Sequence, residues 1–483
     1  MSKLLTPDPQ AKKLKGTSGS RRVSNGQKLA GLRAFFLTGE TMSLSFRRQQ
    51  LCQLEKVIMQ REEEIIEALR QDLNKSPTEA YMTEIALVLQ EIRFMSKHLK
   101  RLARPHFKLP GLFQLPGSLK VTYEPYGVVL IIAPWNYPFQ LALSPLVAAV
   151  AAGNCVLLKP SERSPATSAL LSSICAEALA PELVQVAAGS RAENHELLEL
   201  RYDYIFFTGS AATGRQVMAA AARHLTPVTL ELGGKSPAIV EKTADLDKTA
   251  KRILFGKLMN AGQTCVAPDY VHVERTVKAI LIDKLLQGIE NSLADQDYYK
   301  TGYAKIISDE HFAHLQHLLH NQRLLCPAGR HHREDEATRR QMYPVLVDEP
   351  AWDSPLMQEE IFGPVLPVLS WNNEQELLAG YQKREKPLAL YLFSRQNSFL
   401  RQVLSHISSG GVCINDTVLH MASCRAPFGG VGSSGMGKYH GASGFYTFSH
   451  ERTILKKWWS FDPSMRYPPY SDQHYRWLKR FIR

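Results

Sequence analysis

The chain has 483 residues, of which 44% are hydrophobic and 22% charged, a composition typical of a globular protein with two or three domains. Its net charge of +12 resides at the two ends, since residues 34–454 carry equal numbers of basic and acidic side chains, and this argues against a nucleic-acid-binding groove. Seven scattered cysteines without a CxxC motif argue against a secreted disulfide framework and a structural zinc site.

We find no secretory signal or membrane span in the sequence. The basic N-terminus is not followed by an apolar segment. The longest apolar run, residues 141–158, is interrupted by Pro145 and by Gly153 and Asn154, and predicts a helix that leads into a strand. With the odd number of cysteines, these features predict a cytoplasmic protein.

The predicted elements begin after a basic extension, residues 1–30, which we expect to be disordered. Amphipathic helices are predicted over 47–73 and 79–103. Short apolar runs then alternate with helical patterns: strands at 126–133, 154–159, 183–188 and 203–208, and helices at 140–152, 165–179, 192–200 and 212–224. This βαβ rhythm predicts a doubly wound parallel sheet. A second α/β block follows from about residue 238 to 437.

Two glycine-rich stretches bear on nucleotide binding. GVGSSG, residues 430–435, has the letters of a GxGxxG motif, but fewer than 50 residues remain for a βαβ unit, so we interpret its glycines as a tight turn. FTGSAATG, residues 207–214, follows a predicted strand and opens a predicted helix, whose first N–H groups could face a pyrophosphate. Most strand–glycine–helix turns bind no ligand, so this stretch alone does not distinguish a phosphate-binding loop from an ordinary turn.

The stretch NAGQTCVAPDY, residues 260–270, places Cys265 between small and polar neighbours. A lone cysteine usually only packs in the interior, so this stretch does not identify a nucleophile by itself. Four further stretches change the interpretation: PWNYP (134–138), KPSE (159–162), ELGGKSP (231–237) and EEIFGP (359–364). Together with GQTC they resemble the aldehyde dehydrogenase superfamily, and the ending PFGGVGSSGMGKYHG with RYPPY resembles its class 3 branch.

The resemblance implies a chemistry for three residues. Hydride transfer from an aldehyde first requires a tetrahedral adduct, because the bare carbonyl is a poor hydride donor. Cys265 would form that adduct, the Asn136 amide and the Cys265 N–H would stabilise its oxyanion, and Glu231 would activate the water that hydrolyses the resulting thioester. Such a base needs a raised pKa, so we expect a partly apolar site around Glu231. Without the other motifs, Glu231 would only begin a surface turn.

The resemblance also implies residues that hold a coenzyme. Lys159 and Glu162 match the adenosine-ribose contacts; Glu162 favours a free 2′-hydroxyl and hence NAD, while Lys159 could still attract the 2′-phosphate of NADP. Glu360 and Phe362 match the nicotinamide-ribose position. The remaining expected coenzyme contacts are Thr208, Gly209, Ser210, Gly214 and Leu232. Asn415, in CINDTVLH, resembles a family position near the active site.

The fold implied is α/β, with a Rossmann-type NAD-binding domain, an α/β catalytic domain and a small β oligomerisation arm. We assign 31–102 and 126–237 to the first, 238–437 to the second, and 103–125 with 438–470 to the arm, followed by a basic tail, 471–483. The arm implies a homodimer whose subunits exchange β-contacts.

The activity implied is NAD(P)-dependent oxidation of medium- or long-chain aliphatic or aromatic aldehydes to carboxylic acids. One rival is an acylating enzyme that passes the acyl group to coenzyme A, against which Glu231 argues. Another is a non-catalytic protein that keeps the fold. Cys424 and Arg425 depart from the family pattern in the loop before PFGG, which borders the substrate funnel in relatives, so fine substrate preference stays open.

Two further segments carry weaker signals. HFAHLQHLLH places histidines three residues apart, at 311, 314, 317 and 320; this spacing drifts around a helix, so we predict an exposed face and no metal site. DQHYRWLKRFIR, residues 472–483, separates aromatic from basic side chains on a helix. That pattern is typical of peripheral contact with an anionic membrane, and the alternative is a tail packed on its own dimer.

Overall fold

The computed structural model describes residues 23–187, 196–327, 338–460, 462 and 466–481. Their helices are α1 Asn25–Leu37, α2 Leu44–Gln60, α3 Glu62–Leu73, α4 Pro77–Ala80, α5 Ala86–Leu102, α6 Gln140–Ala152, α7 Pro165–Ala178, α8 Ala211–Ala222, α9 Leu246–Leu258, α10 Lys278–Ser292, α11 Gln296–Thr301, α12 Asp309–Leu318, α13 Pro355–Gln358, α14 Glu374–Gln382, α15 Asn397–His406, α16 Gly441–Thr447 and α17 Asp472–Phe481. A π-helical turn, Tyr81–Ile85, joins α4 to α5.

The strands form three sheets. They are β1 His106–Lys108, β2 Gly117–Pro125, β3 Val128–Ile132, β4 Cys155–Lys159, β5 Val184–Val186, β6 Tyr204–Thr208, β7 Val228–Glu231, β8 Pro237–Val240, β9 Tyr270–Glu274, β10 Leu324–Leu325, β11 Val345–Asp348, β12 Val365–Trp371, β13 Ala389–Phe393, β14 Gly411–Ile414, β15 Gly435–Met436 and β16 Ser449–Lys457.

The first sheet has the order β15-β7-β6-β3-β4-β5 and is parallel except for β15. Its central strands, β3, β4 and β6, are apolar up to the polar residues Lys159 and Thr208 that end β4 and β6, because both faces of a parallel sheet are buried. Every residue of α6 is buried as well, since the helix packs between the sheet and α5. The predicted doubly wound sheet is confirmed.

The second sheet has the order β10-β11-β12-β9-β8-β13-β14 and is parallel except for β10. The ELGGKSP stretch joins the two sheets, since its first residue, Glu231, ends β7 and its last, Pro237, begins β8. A single core of buried apolar side chains runs through both sheets, and a smaller core lies beneath α14 and α15.

The third sheet, β1-β2-β16, is antiparallel. Its long ladder pairs Gly117 with Lys457 at one end and Pro125 with Ser449 at the other. The side chains of β2 are half-buried, and most of those on β16 are exposed, so this sheet projects from the body of the molecule. We call it the arm.

The structure corrects several expectations. Residues 25–30, which we expected to be disordered, form the start of α1. This helix begins at Asn25 and has a capping box formed by Ser24 and Gln27. The helix predicted over 47–73 is two helices that meet at Arg61, whose backbone is not helical. Part of the helix predicted over 192–200 lies outside the described residues, as do residues 1–22. Residues 435–436, assigned to the second block, pair with the first sheet as β15.

Candidate active site

Four sequence motifs meet at one edge of the first sheet. PWNYP follows β3, Lys159 ends β4, Thr208 ends β6 and Glu231 ends β7. The carboxyl ends of parallel strands lie together, and ligands of open α/β sheets bind there. The loop between α9 and β9 brings Cys265 to the same place, where it lines a cavity with Glu231 and Thr208.

The backbone before Cys265 is held in an unusual shape. Asn260, Ala261 and Gly262 have successive φ values of 52°, 50° and 74°, in the left-handed region that costs energy for non-glycine residues. The buried Gln263 side chain fastens this loop: its amide donates to the carbonyls of Asn260 and Lys305, each at 3.0 Å. The nucleophile loop, residues 259–265, is therefore preorganised by its own polar contacts.

Asn136 is tied to the nucleophile loop from the other side. Its Nδ2 donates to the Gln263 carbonyl at 3.0 Å, and its own carbonyl accepts from Asn260 Nδ2 at 2.8 Å. The side chain is buried, at 3% exposure. One amide hydrogen is thus used to fix the orientation of the group, and the second remains for a ligand oxygen. The geometry brings Asn136 and the Cys265 loop together, as the motifs predicted.

A buried ion pair that the sequence reading missed supports this arrangement. Lys75 Nζ lies 2.6 Å from Glu84 Oε1, and both side chains are completely buried. Lys75 also donates to the Asn136 carbonyl at 3.0 Å, while Glu84 Oε2 accepts the backbone N–H groups of Phe139 and Gln140 at 2.9 and 3.0 Å. A carboxylate at the start of α6 also complements the helix dipole. Neither residue belongs to a recognisable motif.

The cavity around Cys265 has a mainly apolar wall. Its apolar lining comes from Tyr137, Leu141, Leu232, Met421, Phe428 and Tyr439. The Tyr137 hydroxyl lies 2.6 Å from Thr264 Oγ1, next to the nucleophile. Burial raises the pKa of the Cys265 thiol to about 12, and the negative charges of Glu360 and Glu231 add to this effect. The thiol is therefore protonated at neutral pH until a proton acceptor or a positive charge arrives.

The environment of Glu231 raises the pKa of its carboxyl group. It is 3% exposed, and neither carboxylate oxygen has a hydrogen-bond partner among the described residues. Burial raises its pKa well above the ordinary range for a glutamate, the environment expected from the sequence. β7 holds Glu231 rigidly, since it pairs with Thr208 of β6 on one side and Gly435 of β15 on the other.

The charge of Glu360 acts on the Cys265 thiol, and the Glu360 side chain is itself buried. Burial and the charge of Asp269 raise its pKa to about 8. A Cβ on Gly233 would lie 1.9 Å from its Oε2, so only glycine fits there. Nearby, Lys257 is buried, its Nζ has no partner within the described part of the chain, and burial lowers its pKa to about 8. Sequence reasoning missed this lysine, which is an ordinary member of α9 in the sequence.

The expected coenzyme contacts around β6 form a strand–turn–helix unit. Gly209 follows the strand, and Ser210 caps α8 by accepting the Thr213 N–H. Gly214 lets α8 approach closely, since a Cβ there would lie 2.7 Å from Leu232 Cδ2. Thr208 Oγ1 and Glu360 Oε1 are buried without partners in the described residues. These orphaned polar atoms and the open helix N-terminus fit a dinucleotide.

The remaining expected contacts lie at the end of β4 and beside β12. Lys159 is buried, and its Nζ donates to the Pro160 carbonyl at 2.8 Å and to Glu162 Oε2 at 3.2 Å. Glu162 is half exposed. Phe362 has a φ of 53°, and its ring stands edge-on to Trp135 at 5.4 Å. Its carbonyl is 2.8 Å from His311 Nε2.

Asn415, the other suggested position, does not line the active-site cavity. Its Nδ2 donates to the Ser394 carbonyl at 3.1 Å and its Oδ1 accepts the Ser394 N–H at 3.0 Å, so it links β13 to the turn after β14.

Two histidines of α12 have different surroundings: His311 is largely buried, while His314 Nε2 lies 3.6 Å from a carboxylate oxygen of Glu359. No group of three metal-binding side chains occurs within the ranges that the structure describes.

Comparison with known proteins gives one consistent result. The profile of the aldehyde dehydrogenase family matches residues 30–454. The 4,4′-diaponeurosporen-aldehyde dehydrogenase of Staphylococcus aureus is 42% identical over 95% of this chain and 99% of its own length. Aldehyde dehydrogenase family 3 member A2 of Mus musculus is 43% identical over 93% of each chain. A solved substrate-bound state of Staphylococcus aureus AldH has a TM-score of 0.90 and 41% identity, covering 95% of this chain and 99% of that one.

These similarities extend across both sheets and confirm the class 3 resemblance of the sequence. The chain belongs to the aldehyde dehydrogenase family and is an NAD(P)-linked oxidoreductase that converts aldehydes to carboxylic acids.

Proposed function

We propose that this chain oxidises medium- and long-chain aliphatic or aromatic aldehydes through a thiohemiacetal and then a thioester on Cys265, with Glu231 as the base that hydrolyses the thioester. One observation carries the proposal: Cys265 and an unpaired, buried Glu231 line the same apolar cavity. An apolar wall favours an aldehyde with a large apolar substituent, because its burial is favourable in proportion to area.

The first step forms a bond between Cys265 Sγ and the carbonyl carbon, while the carbonyl π electrons move to oxygen. The thiol proton has to leave, and the ionised form of the Glu360 carboxylate, whose charge acts on the thiol, is its acceptor, so that Glu231 remains available for the hydrolysis. The free amide hydrogen of Asn136 and the Cys265 N–H receive the oxyanion. One such donor contributes about 10²–10³ in rate.

The second half of the reaction releases the acid. Bound NAD supplies the acceptor for the hydride that leaves the adduct carbon as the C=O bond re-forms. Glu231 then takes a proton from water, the water oxygen attacks the thioester carbon, and the C–S bond breaks to return the Cys265 sulfur. Burial of Glu231 supports this role, because a raised pKa makes a carboxylate a stronger base near neutral pH.

We assign the coenzyme to the strand ends already described. Thr208, Gly209 and Ser210 would hold the pyrophosphate, with Gly214 and Leu232 behind them, because backbone N–H groups at a helix N-terminus bind anions. Glu162 would accept from the adenosine ribose, which favours NAD, while Lys159 offers a positive charge for NADP. Glu360 and Phe362 would contact the nicotinamide ribose.

The proposal is tested by a survey of rates over aldehyde chain length, with NAD and with NADP, in the absence of coenzyme A. We expect kcat/KM to rise from acetaldehyde to dodecanal and benzaldehyde, with the acid as product. Cys265→Ala should reduce turnover by at least about 10⁴-fold, because the covalent route is lost. Cys52→Ala, at an exposed cysteine, serves as the control and should change little. Acid formation only with coenzyme A would favour the acylating rival, and undiminished turnover in Cys265→Ala would reject the proposal.

We infer that the chain forms a homodimer through the arm. The arm carries the exposed apolar side chains of Phe107 and Leu455, and Leu109 and Trp459, which lie just after β1 and β16, are 94% and 102% exposed. Such side chains mark interaction surfaces. β14 is an edge strand of the second sheet, and its unpaired backbone groups can accept a strand from a second copy.

We further propose a cytoplasmic location with peripheral membrane contact through the C-terminal tail. Over the ranges described, no helix combines the length and apolar character needed to cross a bilayer. α17 exposes Tyr475 and Trp477 together with the basic residues Arg476, Lys479 and Arg480. Aromatic and basic side chains on one short helix suit the interface of an anionic bilayer.

A further inference from the structure

A second concave surface lies next to the nucleophile loop. It is a groove of about 790 Å³ that shares no lining residue with the active-site cavity. Helices α4, α9 and α10 form its walls, and the start of α11 closes one side. Its apolar lining includes Met82, Leu254, Phe255 and Met259, of which Met82 and Phe255 are exposed. This size and character suit a small amphiphilic molecule.

The charges around the groove favour an anion. Lys284 is paired with Asp247, so these two lining charges balance each other. Lys251 also lines the groove and is exposed, and the described residues place no carboxylate within ion-pair distance of it. The remaining acid, Glu79, is buried, and burial raises its pKa. Lys251 is therefore an exposed positive charge next to an apolar floor, without an ion-pair partner among the described residues.

The groove is connected to the nucleophile loop by a direct hydrogen bond. Glu79, which lines the groove, accepts the backbone N–H of Asn260 at 2.6 Å. Asn260 in turn donates its side-chain amide to the carbonyls of Asn136 and Gln263, at 2.8 and 3.1 Å. A molecule that shifts Glu79 thus acts on the left-handed turn that positions Cys265 and on the proposed oxyanion donor.

We propose that this groove binds a fatty carboxylate, with the acyl chain on Leu254, Phe255 and Met259 and the carboxylate on Lys251, and that its occupancy alters the nucleophile loop through Glu79. The inference rests on the proposed function, because fatty carboxylates are the products of that reaction. Binding of the product in the groove would then change the nucleophile loop of the active site as the product concentration rises.

Binding is tested by titrating the full chain, as the Cys265→Ala variant, with dodecanoate in a calorimeter. Lys251→Glu in that background should weaken one binding component by about tenfold or more, since a charge-assisted contact is lost. Lys248→Glu is the matched control: it makes the same charge change on the same helix, but Lys248 pairs with Asp245 and does not line the groove. Neutral dodecanol should lack the Lys251-dependent component. Equal dodecanoate affinity in the two lysine variants would overturn the proposal.

The connection to the loop is tested by the rate at which iodoacetamide alkylates Cys265 in the coenzyme-free chain. For each variant we compare the alkylation rate with saturating dodecanoate to the rate without it. This ratio should change at least about twofold more in the Lys248→Glu control than in Lys251→Glu. An identical response in both variants would reject the connection through Glu79.

The two proposals can fail independently. If the wild-type chain oxidises dodecanal and yet shows no Lys251-dependent binding, the proposed binding of a fatty carboxylate in the groove is wrong and the proposed function stands. If binding depends on Lys251 but no aldehyde is oxidised, the groove stands and the proposed function fails.

Discussion

At the scale of single residues, Glu231 shows how an active site opposes stability. Burying a carboxylate that has no hydrogen-bond partner among the described residues costs free energy. Protonation removes the charge and so reduces this penalty, which is why the pKa of Glu231 is raised. The same raised pKa makes the ionised form a useful base. Activity and stability should therefore respond to pH in opposite directions through this one side chain.

The catalytic consequence is tested by Glu231→Gln. Steady-state turnover should fall by about 10²–10⁴-fold, because general-base hydrolysis is lost, while a first burst of NADH remains. The acid limb of the wild-type pH–rate profile, set by ionisation of Glu231, should disappear from the residual rate. Stopped-flow fluorescence of NADH separates the two phases, with Glu241→Gln, at a buried carboxylate outside the cavity, as control. A burst reduced as much as the steady state would assign Glu231 to an earlier step.

The stability consequence uses the same variant. Because the folded-state pKa of Glu231 lies above its unfolded value, the native chain binds the proton more tightly, and stability from this group is complete below the unfolded pKa and is lost as pH rises towards the folded one. Glutamine does not ionise, so Glu231→Gln should gain stability over wild type as pH increases. Urea midpoints from pH 4 to pH 9 measure this. A constant difference across that range would contradict it.

At the scale of elements, the active site depends on helices that contribute no chemistry. Lys75 lies just before α4 and Glu84 in the π-helical turn, and together they hold the Asn136 carbonyl and the first turn of α6. Lys75 also stands 3.9 Å above the Tyr137 ring. One buried pair thus positions the loop that carries the proposed oxyanion donor.

We expect Lys75→Met to destabilise the chain by about 3–5 kcal/mol, because it leaves the Glu84 carboxylate buried without its counter-ion. Turnover should fall as well, since Asn136 loses one of its anchors. Urea denaturation and kcat measure the two effects. The comparison is Arg70→Met, which breaks the exposed pair with Glu67 and should change stability little. Equal destabilisation by both substitutions would show that the buried pair has no such role.

The limits of sequence reading also show at this scale. Strands β3, β4 and β6 were predicted because burial on both faces leaves an uninterrupted apolar run. Cys265, Glu231 and Asn136 were found because each belongs to a motif. Lys75, Glu84 and Lys257 were missed, since in sequence they are ordinary charges in or next to helical segments and only tertiary packing buries them. The two residues of β15 carry no local signal, because their pairing is with a strand some 200 positions earlier.

At the scale of the whole molecule, the positive charge is separated from the catalytic body. All of the net charge of +12 lies in residues 1–33 and 455–483, and α17 presents part of it beside exposed aromatic rings. Trp458 and Trp459 follow β16 directly and are also exposed. The basic side chains are therefore concentrated at the two ends of the sequence, while the residues between them carry no net charge.

We expect the full chain to float with vesicles that contain phosphatidylserine and to stay behind with pure phosphatidylcholine vesicles. Removal of residues 471–483 should abolish flotation, because the aromatic and basic face of α17 is lost. Replacing Lys479 and Arg480 by glutamate should have most of this effect while the aromatic side chains remain, and 0.5 M salt should weaken binding of the intact chain. Flotation that is the same with and without the tail would reject membrane contact.

The return of the chain to β7 has a consequence for biosynthesis. Gly435 and Met436 complete the first sheet beside Glu231, and α16 then packs on α5 and α6. β15 and α16 therefore have to leave the ribosome before the first sheet and the helices packed on it can be completed. From the synthesis of β7 until that of β15, some 200 residues later, the unfinished sheet keeps an open edge, and we expect the nascent chain to be prone to misassembly during that interval.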